Sequence, residues 1–407
     1  MSPRDRPASR RSVLLGSLGG TLGAGALAAS ARAMAFSKPS SPGGVGANVP
    51  DPVVAASATA RAFRGKRQAG IIEPPPAHAA FVALTLPEGA SADTLRRVLA
   101  VWTDDIERLM AGRPALADQA RELSAVTASL TVTVGVGPRA VELSGASAPH
   151  WLRPLPAYPI DRLEERWSGG DLFLQVCAGS PTTVAHALRQ LTSSVSTLTT
   201  VRWVQRGFRE PHEGPGVPMR NLFGQVDGTV QPLLDGTDDE LLFAGPTSPP
   251  WLEGGSGVVI RRIAMDLPVW DGIDRPGREQ AIGRRLSDGA PLTAPVGAGP
   301  DAPADLTSQD GNGFEVIHAA AHLRRARPEQ ADERFLRRPY SYDDDSGSGL
   351  VFVAYAADPL RQFHPVQQRL AELDLLNLWT TPVGSAVFAV LPGAGAGQIL
   401  GESLFAQ

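Results

Sequence analysis

One unit of chain occurs twice, and the repetition limits the fold more than any other feature. Residues 172–176 (Leu-Phe-Leu-Gln-Val) read as an apolar strand, followed after Ser180-Pro181 by a helical pattern to about Leu191. Residues 350–355 (Leu-Val-Phe-Val-Ala-Tyr), then Asp358-Pro359, lead into a second helical pattern to about Leu373. Aligned on the prolines, Leu172 falls on Leu350. Proline suits the first helical position because its fixed φ is already helical and its missing N–H would have no partner there. Further strands are expected at residues 78–86, 130–136, 258–265 and 386–391, with a Ser91-capped amphipathic helix reaching about Met110. Strands and helices in this order, in two similar halves, predict two α+β sandwiches.

The 407-residue length accommodates two such domains. The boundary is expected in the Pro/Gly-rich stretch 211–218, giving an N-terminal domain over 67–214 and a C-terminal domain over 215–407. Residues 294–313 read as a long surface loop. Ahead of the domains, residues 36–66 are rich in Pro, Gly, Ser and Ala without periodicity and are expected to be a flexible leader. Residues 1–35 read as a twin-arginine export signal: Ser9-Arg10-Arg11-Ser12-Val13-Leu14 opens a mildly apolar stretch, and Ala31-Arg32-Ala33 or Ala33-Met34-Ala35 offers small residues for cleavage. The alternative, a retained membrane anchor, suits the stretch poorly, because glycines interrupt it and it falls short of the ~20 residues a span needs. The expected product is an exported protein (periplasmic, extracellular or at the cell surface) with no stable membrane span, and the translocase is its partner in transit.

Composition excludes several classes of function. A net charge of −4 gives no reason to expect a nucleic-acid partner. The single cysteine, Cys177, rules out an internal disulfide and any centre built from several thiolates.

Chemistry concentrates in the second half. Asp227 stands in Asn221-Leu222-Phe223-Gly224-Gln225-Val226-Asp227-Gly228-Thr229, a carboxylate flanked by glycines that let backbone approach a flat group closely. Asp-Gly alone is a common turn signal, so the dipeptide by itself reads as a turn. His318-Ala319-Ala320-Ala321-His322 would put two imidazoles on one helical face, a spacing that can hold a metal, but no third ligand or intervening Glu supports zinc. Arg337-Arg338 precede Pro339-Tyr340-Ser341-Tyr342; alone they read as surface ion-pair partners.

Together these strings resemble the dye-decolorizing peroxidases, a bacterial and fungal haem peroxidase family. The resemblance rests on Gly224-Gln225-Val226-Asp227-Gly228-Thr229, Ile282-Gly283-Arg284, residues 287–292 (Ser-Asp-Gly-Ala-Pro-Leu), His322-Leu323-Arg324, residues 336–342 and residues 384–388 in the family's order, with residues 68–71 and 171–175 like its N-terminal half. It covers roughly residues 66–405 and departs from the family at Pro339, where glycine is commoner. The resemblance implies two ferredoxin-like domains of the dimeric α+β barrel type, with haem b bound in the C-terminal half. It implies His322 as the proximal iron ligand and Asp227 as the acid–base. Arg337, the first of its pair, is implied as the distal arginine, with Gly228, Thr229, Arg327 and Arg337 lining the haem. Hydrogen peroxide and small organic electron donors such as dyes and phenolics are the implied partners, and a homo-oligomer is left open. A haem-handling, iron-releasing (deferrochelatase-like) role on the same fold is the second reading. A haem-free module binding a small hydrophobic ligand is the third. Asp374 reads either as the carboxylate behind the histidine or as a helix cap. Tyr340, Tyr342, Trp251 and Trp379 read first as core, and secondarily as electron relays to the surface.

Overall fold

Residues 60–210 and 219–406 are described by the structure, a computed structural model. The export signal, most of the leader and the expected domain boundary lie outside these residues.

The first half runs β1 (His78–Thr85), α1 (Ala92–Met110), β2 (Thr131–Val136), α2 (Pro138–Ser144), β3 (Leu172–Ala178), α3 (Pro181–Ser193) and β4 (Thr200–Phe208). After the two-residue strands β5 (Met219–Arg220) and β6 (Val226–Asp227) come α4 (Asp239–Leu242), β7 (Ser256–Met265), α5 (Leu267–Asp271) and α6 (Arg275–Ile282). The chain then runs through α7 (His322–Arg325), β8 (Leu336–Arg337), β9 (Tyr340–Asp344), β10 (Gly347–Ala356), α8 (Pro359–Glu372) and β11 (Thr380–Val390).

The first half pairs its strands in the order β2-β3-β1-β4, and the second in the order β11-β7-β10-β9, all antiparallel. Numbered within each half, both orders are 4-1-3-2, the ferredoxin-like arrangement. The repeated unit is therefore the third strand of each half with the helix that follows it, β3–α3 and β10–α8. Two narrow seams join the halves: β11 meets β2 through two residue pairs, and β4 meets β9 through one. Eight strands close in this way into a barrel, with β8 on the far end of β10.

Alternation along each strand separates two cores. Ala80, Val82 and Leu84 of β1 pack with the helices, whereas Ala79, Phe81 and Ala83 point to the barrel interior with Phe173, Tyr340, Tyr355 and Phe388. Helix α1 starts at a capping box, where Ser91 Oγ accepts from Thr94 N–H and Ser91 N–H donates to Thr94 Oγ1. Its buried stripe Leu95, Val98, Leu99, Trp102 and Ile106 covers the outer face, and Trp102 Nε1–H donates to Leu191 O at 2.9 Å, tying α1 to α3.

Several sequence expectations change. The packed chain starts before the leader's expected end: Phe63 is buried, Arg64 pairs with Glu107 at 2.5 Å, and Gly65 N–H reaches Ala394 O. A segment held by long-range contacts needs no periodicity, so composition misses it. β11 starts at Thr380, six residues earlier than expected, because Pro382 and Gly384 at a register shift hide a strand from propensity. β4 and β9, expected by neither pattern nor propensity, close one of the two seams; the charges in Arg202, Arg206, Asp343 and Asp344 blur their alternation. His318 does not share a helix with His322, because α7 begins at His322, and His318 Nδ1 instead accepts from Ala320 N–H at 3.0 Å. Among the described residues no group of three or more His, Cys, Asp or Glu side chains is arranged to hold a metal ion.

Candidate active site

Asp227 ends β6, which pairs with β5 through Met219 opposite Asp227. The loop between them is an Asn-directed turn: Asn221 Oδ1 accepts from Phe223 N–H at 3.1 Å and Gln225 N–H at 3.3 Å. Phe223 stacks on Trp270 with centroids 4.4 Å apart, and Trp270 Nε1–H donates to Phe223 O, anchoring the loop to a small separate core. Gly224 and Gly228 take left-handed φ values of 75° and 89°, as the flanking-glycine pattern predicts. Asp227 is half-buried, and among the described residues no hydrogen bond holds its carboxylate.

His322 opens α7, which approaches α6 closely. Gly283 ends α6 at φ 83°, and an added Cβ there would lie 3.1 Å from Leu323 Cβ, so the glycine admits the histidine's helix. His322 Nδ1 bonds Asp374 Oδ2 at 2.7 Å, and the Asp374 side chain is 4% exposed against 27% for His322. Asp374 Oδ1 also accepts from Leu376 N–H at 3.0 Å, so the two readings of this residue, cap and histidine partner, are both realised. The neutral ring that donates Nδ1–H to a carboxylate leaves Nε2 as its free acceptor. Burial opposes charge on the imidazole, but Asp374, through its charge and hydrogen bond and with help from Asp227, holds His322 above the ordinary histidine range against the opposing charge of Arg337. Asp227 and Arg337 both lie close enough to His322 for their charges to act on it, although 110 residues of chain separate the acid from the arginine.

Arg337 and Arg338 project to opposite faces of one strand. Arg337, half-buried, donates to Thr229 O. Arg338, 3% exposed, turns inward to Ile71 O and Glu73 O, pinning the strap before β1, with its Nε and Nη2 left without partners. The first of the pair is the one that reaches Thr229, two residues after Asp227. Arg327 is exposed after α7 and lines a separate bowl of about 390 Å³ with Arg324, Arg325 and Arg369; among the described residues no hydrogen bond joins its side chain to Asp227, His322 or Arg337. A cleft of about 820 Å³ beside Trp151 and Phe243 contains none of the site residues.

Sequence reasoning missed three neighbours. Gln231 grips the backbone of Arg337 from both sides, donating Nε2–H to its carbonyl at 2.8 Å and accepting its N–H at 3.0 Å. Arg284 donates to Gly289 O and Pro300 O; burial first, then the nearby charge of Arg337, pushes it down to about 10. Asp301, on the long loop, accepts Val230 N–H at 2.9 Å. Arg284 stood in a quoted motif without a role; nothing in the sequence marks Gln231 or Asp301. Of the aromatic residues, Tyr340 and Tyr342 are interior, Trp251 is buried with its N–H on Ser147 O, and Trp379 meets Trp270 edge-on at 5.2 Å.

The fold and site define an α+β barrel protein with an acid, an arginine and a carboxylate-backed histidine gathered in its second half. Sequence profiles described as "Dyp-type peroxidase, N-terminal" and "Dyp-type peroxidase, C-terminal" match residues 68–209 and 218–395. The chain is 39% identical over 361 residues to the dye-decolorizing peroxidase of Thermobifida fusca, covering 83% of each, and 32% identical over 375 residues to a deferrochelatase of Escherichia coli O157:H7, covering 84% of this chain and 86% of that one. Among solved structures it is similar to a DyP-type peroxidase from Cellulomonas bogoriensis (50% identity, TM-score 0.81, 86% of this chain and 98% of that one) and to ferric DtpA from Streptomyces lividans (37%, 0.82, 88% and 100%). The chain belongs to the Dyp-type peroxidase family.

Proposed function

We propose that the chain is a haem b peroxidase that reduces hydrogen peroxide and oxidises organic donors, dyes and phenolics among them, in one-electron steps. The observation that carries the reading is the carboxylate-backed histidine with its free Nε2 in electrostatic reach of both Asp227 and Arg337. The residues fit haem on their own chemistry. A neutral imidazole whose other nitrogen is held by a buried carboxylate is a strong iron ligand. The half-buried side chains of Arg284 and Arg337 bond only carbonyls, which leaves positive charge to meet the propionates. His322 would ligate the iron, Gly228, Thr229 and Arg337 would face the porphyrin, and Arg327 would stand at its rim.

When bound there, haem would supply the electrons for cleavage of the O–O bond. Asp227 takes the proton from one peroxide oxygen and returns it to the other, so that water leaves. Arg337 offsets the negative charge that builds on the departing oxygen. Thr229 O fixes the guanidinium, and Asp374 fixes the imidazole.

The test is to purify the mature chain with haem and mix it with one equivalent of peroxide in stopped flow. A Soret band that changes within milliseconds supports the reading. A sluggish Soret band with release of iron and intact porphyrin favours the deferrochelatase-like role, which the Escherichia coli relative's name suggests. A chain that takes up no haem refutes both. The reading includes export by the twin-arginine route, supported by Ser9-Arg10-Arg11-Ser12-Val13-Leu14, and no helix among the described residues is long and apolar enough to cross a membrane.

A further inference from the structure

Arg337 lies in β8, whose pairing with β10 sets Arg337 opposite Ala354, while Arg338 N–H donates to Val353 O. In an antiparallel ladder these alternate, so the N–H and C=O of Arg337 point away from β10 toward an open edge. The Gln231 carboxamide fills that edge, donating and accepting as a neighbouring strand would. Glutamine suits the task because its one side chain carries both a donor and an acceptor. Glutamate would set a carboxylate against the Arg337 carbonyl, and asparagine is one methylene short.

The residue before it is strained. Val230 is β-branched and 61% exposed, yet it sits at φ 54°, a left-handed conformation such side chains avoid. It persists because its neighbours over-determine it. Asp301 takes its N–H, Thr229 O takes the Arg337 guanidinium, and Gln231 takes the Arg337 backbone. Left-handed turns at Gly228 and Val230 double the chain back so that these ties all form within four residues of Asp227.

We infer that Gln231 and Asp301 are positioning residues: they lock the segment carrying Asp227 to the strand carrying Arg337, fixing the acid and the arginine relative to each other. The inference rests on the peroxidase reading for its functional consequence. Neither residue touches the reacting atoms.

Gln231→Met keeps the length of the side chain and removes both bonds; Asp301→Ala frees Val230 N–H from a surface loop and leaves the core alone. Asp118→Asn, in a buried network of the first half, serves as a control of lowered stability. Two readouts separate the claims. Amide hydrogen exchange needs no haem, and in segments 227–231 and 336–338 it is expected to quicken by about tenfold or more in Gln231→Met, and in 227–231 in Asp301→Ala. The second-order rate with peroxide, measured on the haem-loaded protein, is expected to fall by about tenfold or more in Gln231→Met and less in Asp301→Ala, since small misplacements of reacting groups are costly. Haem affinity and the Asp118→Asn rate are expected to stay at the wild-type level. Unchanged exchange in both variants overturns the lock. Faster exchange with a wild-type peroxide rate overturns the positioning role, as does an equal rate loss in Asp118→Asn. A wild-type protein inert to peroxide would refute the peroxidase reading, and with it the positioning role, while the exchange data would still decide whether the lock exists.

Discussion

Replacing Asp374 tests how far one carboxylate supports both the fold and the histidine. Its Oδ1 caps the turn at Leu376 and its Oδ2 holds His322 Nδ1 at 2.7 Å. Asp374→Ala removes a cap, which typically costs about 1 kcal/mol, and a charge-assisted hydrogen bond at a site almost closed to solvent, which costs about 1.5–3 kcal/mol. The sum, about 2.5–4 kcal/mol, corresponds to a fall in Tm of roughly 3–6 °C for a chain of this size. Asp374→Asn separates the two roles. Its Oδ1 still caps Leu376, so the loss of stability should be about 1 kcal/mol. The amide, however, can donate to Nδ1 and so favour the tautomer that carries its proton on Nε2, the nitrogen a metal needs free. Haem affinity is then expected to fall about 10- to 100-fold, the usual effect of removing the carboxylate behind a ligating histidine. The assay is a Soret titration of apo-protein beside a thermal melt of the same sample. If the Asn variant binds haem as tightly as the wild type, the carboxylate does not set the histidine, and the argument from Asp374 fails.

Asp227→Asn is expected to keep haem and slow the peroxide reaction by about 10²–10⁴-fold, and Arg337→Leu to slow it by about 10²–10³-fold, both read by stopped flow. Arg338→Leu should leave that rate within about threefold while lowering stability by about 2 kcal/mol, because Ile71 O and Glu73 O lose their donor; a melt and the same stopped-flow trace check both halves. Asp118 is buried, and burial opposes its charge; hydrogen bonds from Ala120 N–H, the Ser124 hydroxyl and His186 outweigh that and hold its carboxyl below the usual carboxylate range. A depressed folded value means stability that is complete above the ordinary Asp value of about 3.9 and is lost as pH falls through the folded one. Wild-type stability measured in urea should therefore drop below about pH 4 more steeply than that of Asp118→Asn, which lacks the titrating group.

Periodicity alone placed α1, α3 and α8 and most of the core strands, because a helix or strand that buries one face must show it in the order of its apolar residues. The repeat of strand, proline and helix gave the two-halved architecture for the same local reason. β4 and β9 escaped, since they close the barrel at a seam of one residue pair, and nothing local distinguishes a seam strand from a polar loop. Asp227, His322 and Arg337 were singled out because their strings resemble a family, not because spacing brings them together. Only the tertiary structure separates the two arginines, turning Arg337 to Thr229 and Arg338 to Ile71 and Glu73: side chains alternate along a strand, and pairing with β10 sets the register of β8. It likewise revealed Gln231 and Asp301, whose partners lie 106 and 71 residues away in the chain. A sequence records which face of an element is apolar; which backbone edge a side chain will cap depends on register, and register is fixed only once the barrel has closed.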